Sequence, residues 1–348
     1  MRLERLLPIL ICVALLTERY FMTYVASWVV GVISIVFLVW RRDVTSLFAI
    51  LVLGALSLLA PPELTPTGFR YIVFLSIYLV LANHLTLDPK VHVCLQGVFL
   101  GLSFLSADAT FERFSFGTSV MLLMVGMTKM HPGESSNVAR IERAKGALFI
   151  VISLAVSVIG YGSRSALFVW LFAQIREKIW PLALVSVMGM GVVMFSPLGD
   201  SPFMRKLGSS FVELSEPTSL HSGEFNLRAY ELALFYGLVE RETIGELLAG
   251  SDSALFLPSE YFSEDANGNV PYIPHNQIAG ILYQFGLIGL ITVVVMFWRT
   301  FNSFKRNKFS RSLFLALLLP FFLFKHGFLD TDLALIVSSL NWLRKNRT

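Results

Sequence analysis

Basic side chains beside apolar segments are the part of this sequence best suited to chemistry. Arginine binds a phosphate group through two parallel hydrogen bonds. Histidine has an unperturbed pKa near neutrality and therefore transfers protons at physiological pH. Such side chains stand at Arg164, at Arg228, at His275 and in the pair Lys325-His326. Together they suit an anionic ligand and a proton-transfer step.

Each of these residues also has a simpler interpretation. Arg164 lies in a short turn between two apolar segments, where it can extend toward lipid headgroups or cap the turn. Arg228 precedes Glu231 by three residues and can form a weak ion pair with it on one helix face. His275 can serve as a polar cap for the apolar segment that follows it. Lys325-His326 can extend toward headgroups or make a third phosphate contact.

Acidic residues at the same helix ends raise the question of a metal site. Asp330 and Asp332 imitate an acidic metal-binding pair, but two carboxylates that open an apolar helix are typical helix caps. Metal or ligand contacts are also an interpretation for acidic positions in earlier loops: Asp108 with Glu112, and Glu18 with Arg19.

The composition indicates an integral membrane protein. Of 348 residues, 55% are hydrophobic and only 15% are charged, whereas soluble domains carry about 25% charged residues. The mean hydropathy is +0.67. These values exclude a soluble enzyme, a nucleic-acid-binding module and a disordered chain, although the formal net charge is +4. The two cysteines, Cys12 and Cys94, lie inside apolar runs and suit neither a disulfide framework nor a zinc site.

The apolar runs predict an all-α, polytopic transmembrane helix bundle of about 12 spans. We expect transmembrane helices 1–9 in residues 1–196, a loop domain in 197–274, and helices 10–12 with a cytoplasmic C-terminus in 275–348. The predicted spans cover residues 5–18, 21–40, 44–60, 69–87, 91–107, 115–130, 146–160, 163–176, 179–196, 276–298, 312–328 and 331–343.

The distribution of charge predicts the orientation of this bundle. With both termini in the cytoplasm, most of the 28 lysines and arginines fall on the inner face and most of the 24 acidic residues on the outer face, as the positive-inside rule requires. The long loop 197–274 is then external. Asn226 can cap a helix from Leu227 to about Leu248 within it, because leucines and aromatic residues recur there at helical spacing.

Three motifs in this order resemble those of a known family. His275-Asn276 opens HNQIAGILYQFGLIGL, in which Gly286 and Gly289 follow; Ser163-Arg164 opens a span in GSRSALFVWL; and Arg228 lies in the long loop, in LRAYELALFYG. This arrangement resembles the O-antigen ligase and O-antigen polymerase superfamily of bacterial lipid-linked glycan transferases. The resemblance covers residues 150 to 298, and the first 145 residues match only as generic spans.

The resemblance implies a fold and a reaction. Members of this family are similar to type C glycosyltransferases: at the periplasmic side of the inner membrane, an acceptor hydroxyl attacks the anomeric carbon of a glycan carried on undecaprenyl diphosphate. Arg164 and Arg228 would neutralise the departing diphosphate. His275 would accept the proton of the hydroxyl or orient it, with Asn276 as a hydrogen-bonding helper. No metal and no cofactor are implied. Gly286 and Gly289 are interpreted as permitting close helix packing.

The resemblance therefore favours an O-antigen ligase, which attaches O-antigen to lipid A-core in lipopolysaccharide biosynthesis. Its partners would be the undecaprenyl-diphosphate-linked donor, a lipid A-core or glycan acceptor, and membrane lipids, with no nucleic acid. The nearest alternative is an O-antigen or polysaccharide polymerase. A transporter of twelve spans is a further alternative, which predicts ionisable or helix-breaking residues near the bilayer midplane.

Overall fold

Eleven α-helices make up the secondary structure of the residues described by the computed structural model. The described residues are 2–21, 23–62, 64–105, 110–130, 137–159, 169, 243–250, 277–305, 307–323 and 331–346, and they contain no β-strand. The helices are α1 Arg2–Phe21, α2 Val25–Trp40, α3 Val44–Leu59, α4 Thr65–Asn83, α5 Pro89–Leu105, α6 Thr110–Met130, α7 Asn137–Ile159, α8 Ile244–Ala249, α9 Gln277–Ser303, α10 Lys308–Leu323 and α11 Thr331–Asn346.

The predicted all-α class is confirmed, and the predicted span count stays a prediction. Ten of the predicted apolar segments overlap a helix of the described residues, the one at 312–328 being described as far as residue 323. The other two, 163–176 apart from residue 169 and 179–196, lie outside the described residues. Two helices, α4 and α9, are long and apolar enough to cross a membrane. Other described helices, including α2, α3 and α5, are apolar but shorter.

Helix faces on the outside of the bundle are apolar, and this favours a membrane environment. In α2, Val25, Val29, Val32 and Val36 are more than half exposed and recur at helical spacing. The second half of α9 also exposes apolar side chains, namely Leu287, Ile288, Ile291, Val294, Val295 and Trp298. Soluble monomers seldom expose contiguous apolar faces of this kind, whereas hydrocarbon solvates them without cost.

The central helix of the bundle is α4. All its side chains from Tyr71 to Ala82 are buried, and it packs against α2, α3, α9 and α11. Its apolar side chains point in every direction, and a helix of that kind is stable only when other helices surround it. The stretch of α4 from Tyr71 to Ala82 is therefore held by neighbours on all sides.

Helix α9 is broken at Gly286. This glycine has φ 61° and ψ −163°, which interrupts the helical backbone between Gln277–Phe285 and the remainder of α9. The expected packing role of Gly286 is confirmed, because a Cβ there would lie 2.4 Å from the backbone carbonyl oxygen of Leu248 in α8. The expectation that Gly286 and Gly289 share one continuous helix face is wrong, because the break separates them.

The predicted loop helix from Leu227 to Leu248 is also corrected. Thr243 has an extended backbone with φ −65° and ψ 158°, and the helix that follows it begins at Ile244. Thr243 caps this helix, since its hydroxyl accepts a hydrogen bond from the Glu246 backbone N–H and the Glu246 carboxylate accepts one from the Thr243 backbone N–H. A single uninterrupted helix through this position is therefore excluded. Residues 227–242 lie outside the described part of the chain.

Candidate functional site

Buried polar side chains that could bind a ligand or transfer a proton lie at one end of the bundle. Helix α1 ends there, close to Arg19, and α2, α4, α9 and α11 begin there. We call it the Arg19 end, and we call the opposite end, marked by the turn that contains Asp43, the Asp43 end. The positive-inside pattern predicts that the Arg19 end faces the periplasm.

The six site residues predicted from the sequence lie outside the described residues. They are Arg164, Arg228, His275, Asn276, Lys325 and His326. Their mutual distances therefore stay a prediction. The described residue next to them in the sequence is Gln277, which begins α9 directly after His275-Asn276.

Gln277 begins α9 in an unusual environment. The residue is 0% exposed, and neither its side-chain nitrogen nor its side-chain oxygen has a hydrogen-bond partner. The Tyr71 hydroxyl of α4 lies close to this amide. A buried amide without partners is costly, so this position invites an explanation beyond packing.

Arg70 lies near the start of α4, one residue before Tyr71. Its guanidinium stacks on the Tyr24 ring, with 4.2 Å between Cζ and the ring centroid, and also lies over Phe74. The Arg70 Nε is buried and has no acceptor, and no carboxylate in the described part of the chain pairs with the side chain. Sequence reasoning missed Arg70 although it falls inside the predicted span 69–87, where a charged residue is a signal in itself.

Gln284 and two neighbouring groups fix α9 against α4. The Gln284 Nε2 donates a hydrogen bond of 3.2 Å to the Leu64 carbonyl oxygen, just before α4 begins. Gly68 makes the close approach possible, because a Cβ there would lie 2.3 Å from the Ser57 Oγ and 3.2 Å from the Gln284 Nε2. These contacts hold the first part of α9 against the start of α4.

A second polar cluster at this end joins α1, α5 and α11. The Arg19 Nη1 lies 2.6 Å from the Asp332 Oδ2, and the Asp332 side chain is fully buried. The Gln96 Nε2 donates a hydrogen bond of 3.2 Å to the Asp332 Oδ1. Gly117 of α6 leaves room for both groups, since a Cβ there would lie 2.7 Å from the Gln96 Nε2 and 2.9 Å from the Asp332 Oδ1.

The cluster continues into the bundle through His92. The His92 Nδ1 lies 3.0 Å from the Ser339 Oγ, and the His92 Nε2 lies 3.3 Å from the Gln96 Nε2. One tautomer satisfies both contacts: a neutral imidazole that donates from Nδ1 to Ser339 and accepts at Nε2 from Gln96. The Gln96 amide can then donate to His92 and Asp332 together.

These contacts bear on two interpretations of the sequence. Asp332 lies in the first turn of α11, where a capping carboxylate is expected, and it also pairs with Arg19 of a different helix. Glu18, for which a metal or ligand contact was one interpretation, is buried and accepts hydrogen bonds from the Ser27 backbone N–H and hydroxyl. Among the residues described, no group of three or more His, Cys, Asp or Glu side chains has the arrangement of a metal site. Asp108, Asp330 and the side chain of Glu112 lie outside the described part.

The Asp43 end contains a charged cluster that is built for stability. The Arg299 Nη1 and Nη2 donate to the two Asp43 carboxylate oxygens at 2.8 and 3.2 Å, and the His84 Nε2 lies 2.7 Å from the Asp43 Oδ2. Partial burial raises the pKa of the Asp43 carboxyl, but hydrogen bonds from Arg299, His84 and Ser46 outweigh this and lower the pKa to about 2. All of these groups are satisfied by one another.

Comparisons with family models and with curated proteins find no match for this chain. The geometry therefore carries the functional argument. At the Arg19 end, Asp332 neutralises Arg19, whereas Arg70 has a buried Nε without an acceptor and stacks on Tyr24. An arginine without a carboxylate partner among the described residues is suited to an anionic ligand.

Proposed function

We propose that this chain is a metal-independent glycosyltransferase of the O-antigen ligase type. It would transfer a glycan from undecaprenyl diphosphate to an acceptor hydroxyl of lipid A-core, at the periplasmic side of the bacterial inner membrane. The proposal rests on the motif resemblance around Arg164, Arg228 and His275. An O-antigen or polysaccharide polymerase is the nearest alternative, because it differs only in the acceptor.

One observation on the described residues gives this proposal its main support. The histidine motif leads directly into Gln277, which is fully buried rather than exposed to lipid. A motif whose only task was to end a membrane helix would need no buried, unsatisfied amide beside it. A reaction centre requires polar groups that are prepositioned and available to substrate.

The proposed reaction is a displacement at the anomeric carbon. A bond forms between the acceptor oxygen and the anomeric carbon, and the bond from that carbon to the diphosphate oxygen breaks. His275 takes the proton of the acceptor hydroxyl, and the electron pair leaves with the diphosphate. Arg164 and Arg228 bind the diphosphate and stabilise its additional charge, and Asn276 orients the hydroxyl. Lys325 and His326 are candidates for a further substrate contact.

The decisive experiment is a transfer assay with purified protein. The donor is a glycan linked to undecaprenyl diphosphate, and the acceptors are lipid A-core and a second donor molecule. We expect transfer to lipid A-core, its loss in His275→Ala, Arg164→Ala and Arg228→Ala, and no effect of chelators. Arg164→Lys should also be inactive, because an ammonium does not reproduce the planar guanidinium. Elongation of the donor with no transfer to lipid A-core would identify a polymerase.

A transporter is the second candidate, and one observation favours it. His92, Gln96 and Asp332 form a buried polar row inside the bundle, and α9 is broken at Gly286. Buried ionisable residues and discontinuous helices are typical of transporters. Substrate export by sealed vesicles that persists in His275→Ala would favour this candidate over the transferase.

A further inference from the structure

We propose that a groove at the Arg19 end, between α2, α3 and α4, binds an anionic phospholipid of the membrane, and that Arg70 holds the phosphate of this lipid. The site is independent of the proposed reaction, because none of its residues belongs to the motifs around Arg164, Arg228 and His275. Two observations carry the inference: an apolar groove that opens to the outside of the bundle, and an arginine beside it that has no carboxylate partner among the described residues.

The groove is apolar and open. It has a volume of about 640 Å³, and its walls include Trp28 of α2, Leu58 near the end of α3, Pro62 in the turn that follows, and Pro66 and Phe69 of α4. The volume falls within the range of about 300–1,000 Å³ that is typical of small-molecule sites. Trp28, Leu58 and Phe69 are 44%, 70% and 38% exposed. A groove with such walls is suited to a hydrocarbon chain.

The walls of the groove carry little polarity. Among the described residues that line it, Thr65 has the polar side chain, and its hydroxyl already donates to the Pro61 carbonyl oxygen at 3.1 Å. The helices α2, α3 and α4 contain no acidic residue, and their one basic residue is Arg70. These three helices therefore offer a ligand apolar contacts and a single positive charge.

Arg70 lies beside two walls of the groove. On α4 it directly follows Phe69 and lies one turn after Pro66, so it shares a helix face with Pro66. Its guanidinium stacks on the Tyr24 ring, with 4.2 Å between Cζ and the ring centroid. The Tyr24 carbonyl oxygen accepts a hydrogen bond of 3.2 Å from the backbone N–H of Trp28, one turn further along α2. Arg70 is thus adjacent to the α4 wall directly and to the α2 wall through Tyr24.

The Arg70 guanidinium is available to an anion. The cation–π contact with Tyr24 positions the group and leaves its charge in place, and its buried Nε has no acceptor. Arg19, by contrast, is neutralised by Asp332. An arginine that is fixed by an aromatic ring keeps its planar donor edge for phosphate oxygens.

The level and the charge of the site favour a phospholipid. Tyr24 and Trp28 are exposed at the start of α2, and tyrosine and tryptophan are enriched at the headgroup level of a bilayer. Arg70 at this level meets lipid phosphates, while the groove meets acyl chains. A phosphodiester carries one negative charge, which one arginine balances. A diphosphate carries more charge, and its sites combine several cations, so this groove is suited to a phospholipid rather than to the lipid-linked donor.

The test measures occupancy of the groove through the fluorescence of Trp28. Purified full-length protein is placed in phosphatidylcholine nanodiscs that contain increasing fractions of phosphatidylglycerol with brominated acyl chains, which quench nearby tryptophans. The difference between each protein and its Trp28→Phe counterpart isolates the Trp28 signal. We expect phosphatidylglycerol to associate about fivefold more strongly than brominated phosphatidylcholine, as for one basic residue near anionic lipid. This preference should vanish in Arg70→Gln, and an undiminished preference there would overturn the proposal.

Matched variants separate binding from folding. Arg70→Lys keeps the charge without the planar donors, so it should retain part of the preference for phosphatidylglycerol. Arg311→Gln removes another ring-stacked arginine, at the Asp43 end, and should equal wild type. Ala60→Leu adds volume at a residue that lines the groove, so quenching of Trp28 by both lipids should fall while the midpoint of thermal unfolding is kept. Wild-type quenching in Ala60→Leu would place the acyl chain elsewhere and overturn the proposal.

Two further arms test other roles of Arg70. Glu63 precedes α4 and lies outside the described residues. The effects of Arg70→Gln and Glu63→Gln on unfolding should be additive, and coupling between them would overturn the proposal, because the chain itself would then neutralise Arg70. Undecaprenyl diphosphate that displaces the brominated phosphatidylglycerol with the same Arg70 dependence would overturn it in favour of the lipid-linked donor. Glycan transfer is not measured here, so failure of the proposed function leaves this site unaffected.

Discussion

Replacing Gly286 with alanine should separate α8 from α9. The φ of 61° and ψ of −163° at Gly286 belong to a backbone region that is essentially restricted to glycine. The new Cβ would also lie 2.4 Å from both the carbonyl carbon and the carbonyl oxygen of Leu248, and 2.6 Å from the Ala249 nitrogen. These are backbone atoms, so no side-chain rotation relieves the overlap, and α8 must move.

The expected cost follows from these two effects. Backbone strain in such a region is about 1–3 kcal/mol, and forcing extra volume into a packed contact adds about 1–3 kcal/mol. Part of the overlap is relieved when α8 moves away. We therefore expect Gly286→Ala to lower the free energy of unfolding by about 2–4 kcal/mol and to abolish glycan transfer, since α8 belongs to the predicted loop domain.

Two measurements test this prediction. Unfolding in mixed micelles gives the change in stability, and electron resonance between spin labels at the exposed Ile244 and Val295 reports the distance between α8 and α9. The labels require Cys94→Ser, because Cys94 is exposed and Cys12 is buried. Gly97→Ala is the matched control, since a Cβ there meets nothing within 4 Å, and it should stabilise α5 by about 0.5–1 kcal/mol. Wild-type stability and spin distance in Gly286→Ala would refute the reasoning.

Two further predictions concern the charged clusters. Asp332→Asn should lower stability by about 3 kcal/mol, because it leaves the Arg19 cation at a buried contact without its counter-charge; a double-mutant cycle with Arg19→Gln, measured by unfolding, should recover part of this loss, and strict additivity would contradict the pair. At the Asp43 end, the lowered pKa of Asp43 stabilises the fold above pH 4, and this contribution should disappear as the pH falls from about 4 to about 2. Thermal unfolding between pH 2 and 6 should show this slope in wild type and a smaller slope in Asp43→Asn; equal slopes would exclude Asp43 as its origin.

The helical regions were predictable because long runs of apolar residues identify membrane helices directly in the sequence. The predicted span 44–60 corresponds to α3 at 44–59, and its start follows from Asp43, an N-cap residue in a polar turn between two apolar runs. The length of an apolar run is a local property of the sequence and does not depend on distant parts of the chain. This is why the class of the fold was accessible from the sequence.

The break in α9 was not predictable from the same signal. Apolar residues continue on both sides of Gly286, so hydropathy indicates one helix across it. The break arises from the approach of the Leu248 backbone, a contact between segments far apart in the sequence. Likewise, the Asp332 carboxylate suits a helix cap by local criteria, and only the three-dimensional structure shows that Arg19 is its partner.

The site residues named from the sequence stay a prediction, because they lie outside the described residues. A search for cations at helix ends identifies Arg164 and Arg228, and the same search, extended to charges inside spans, identifies Arg70. Gln277 is neutral and differs from other glutamines only in having no partner after folding. Lack of a partner is a property of the folded chain, so no inspection of residue types reveals it.

The Arg19–Asp332 cluster and Arg70, which both lie at the Arg19 end, differ in charge balance and therefore in the role that each is suited to. Asp332 neutralises Arg19 and accepts a hydrogen bond from Gln96, so this cluster would lose contacts if it bound an anion. It is therefore suited to holding α1, α5 and α11 together. Arg70 has no such counter-charge among the described residues, so an anion that binds it does not have to displace one of their carboxylates. A phosphate-containing ligand at this end should consequently respond to Arg70 in its affinity and to Arg19 only through stability.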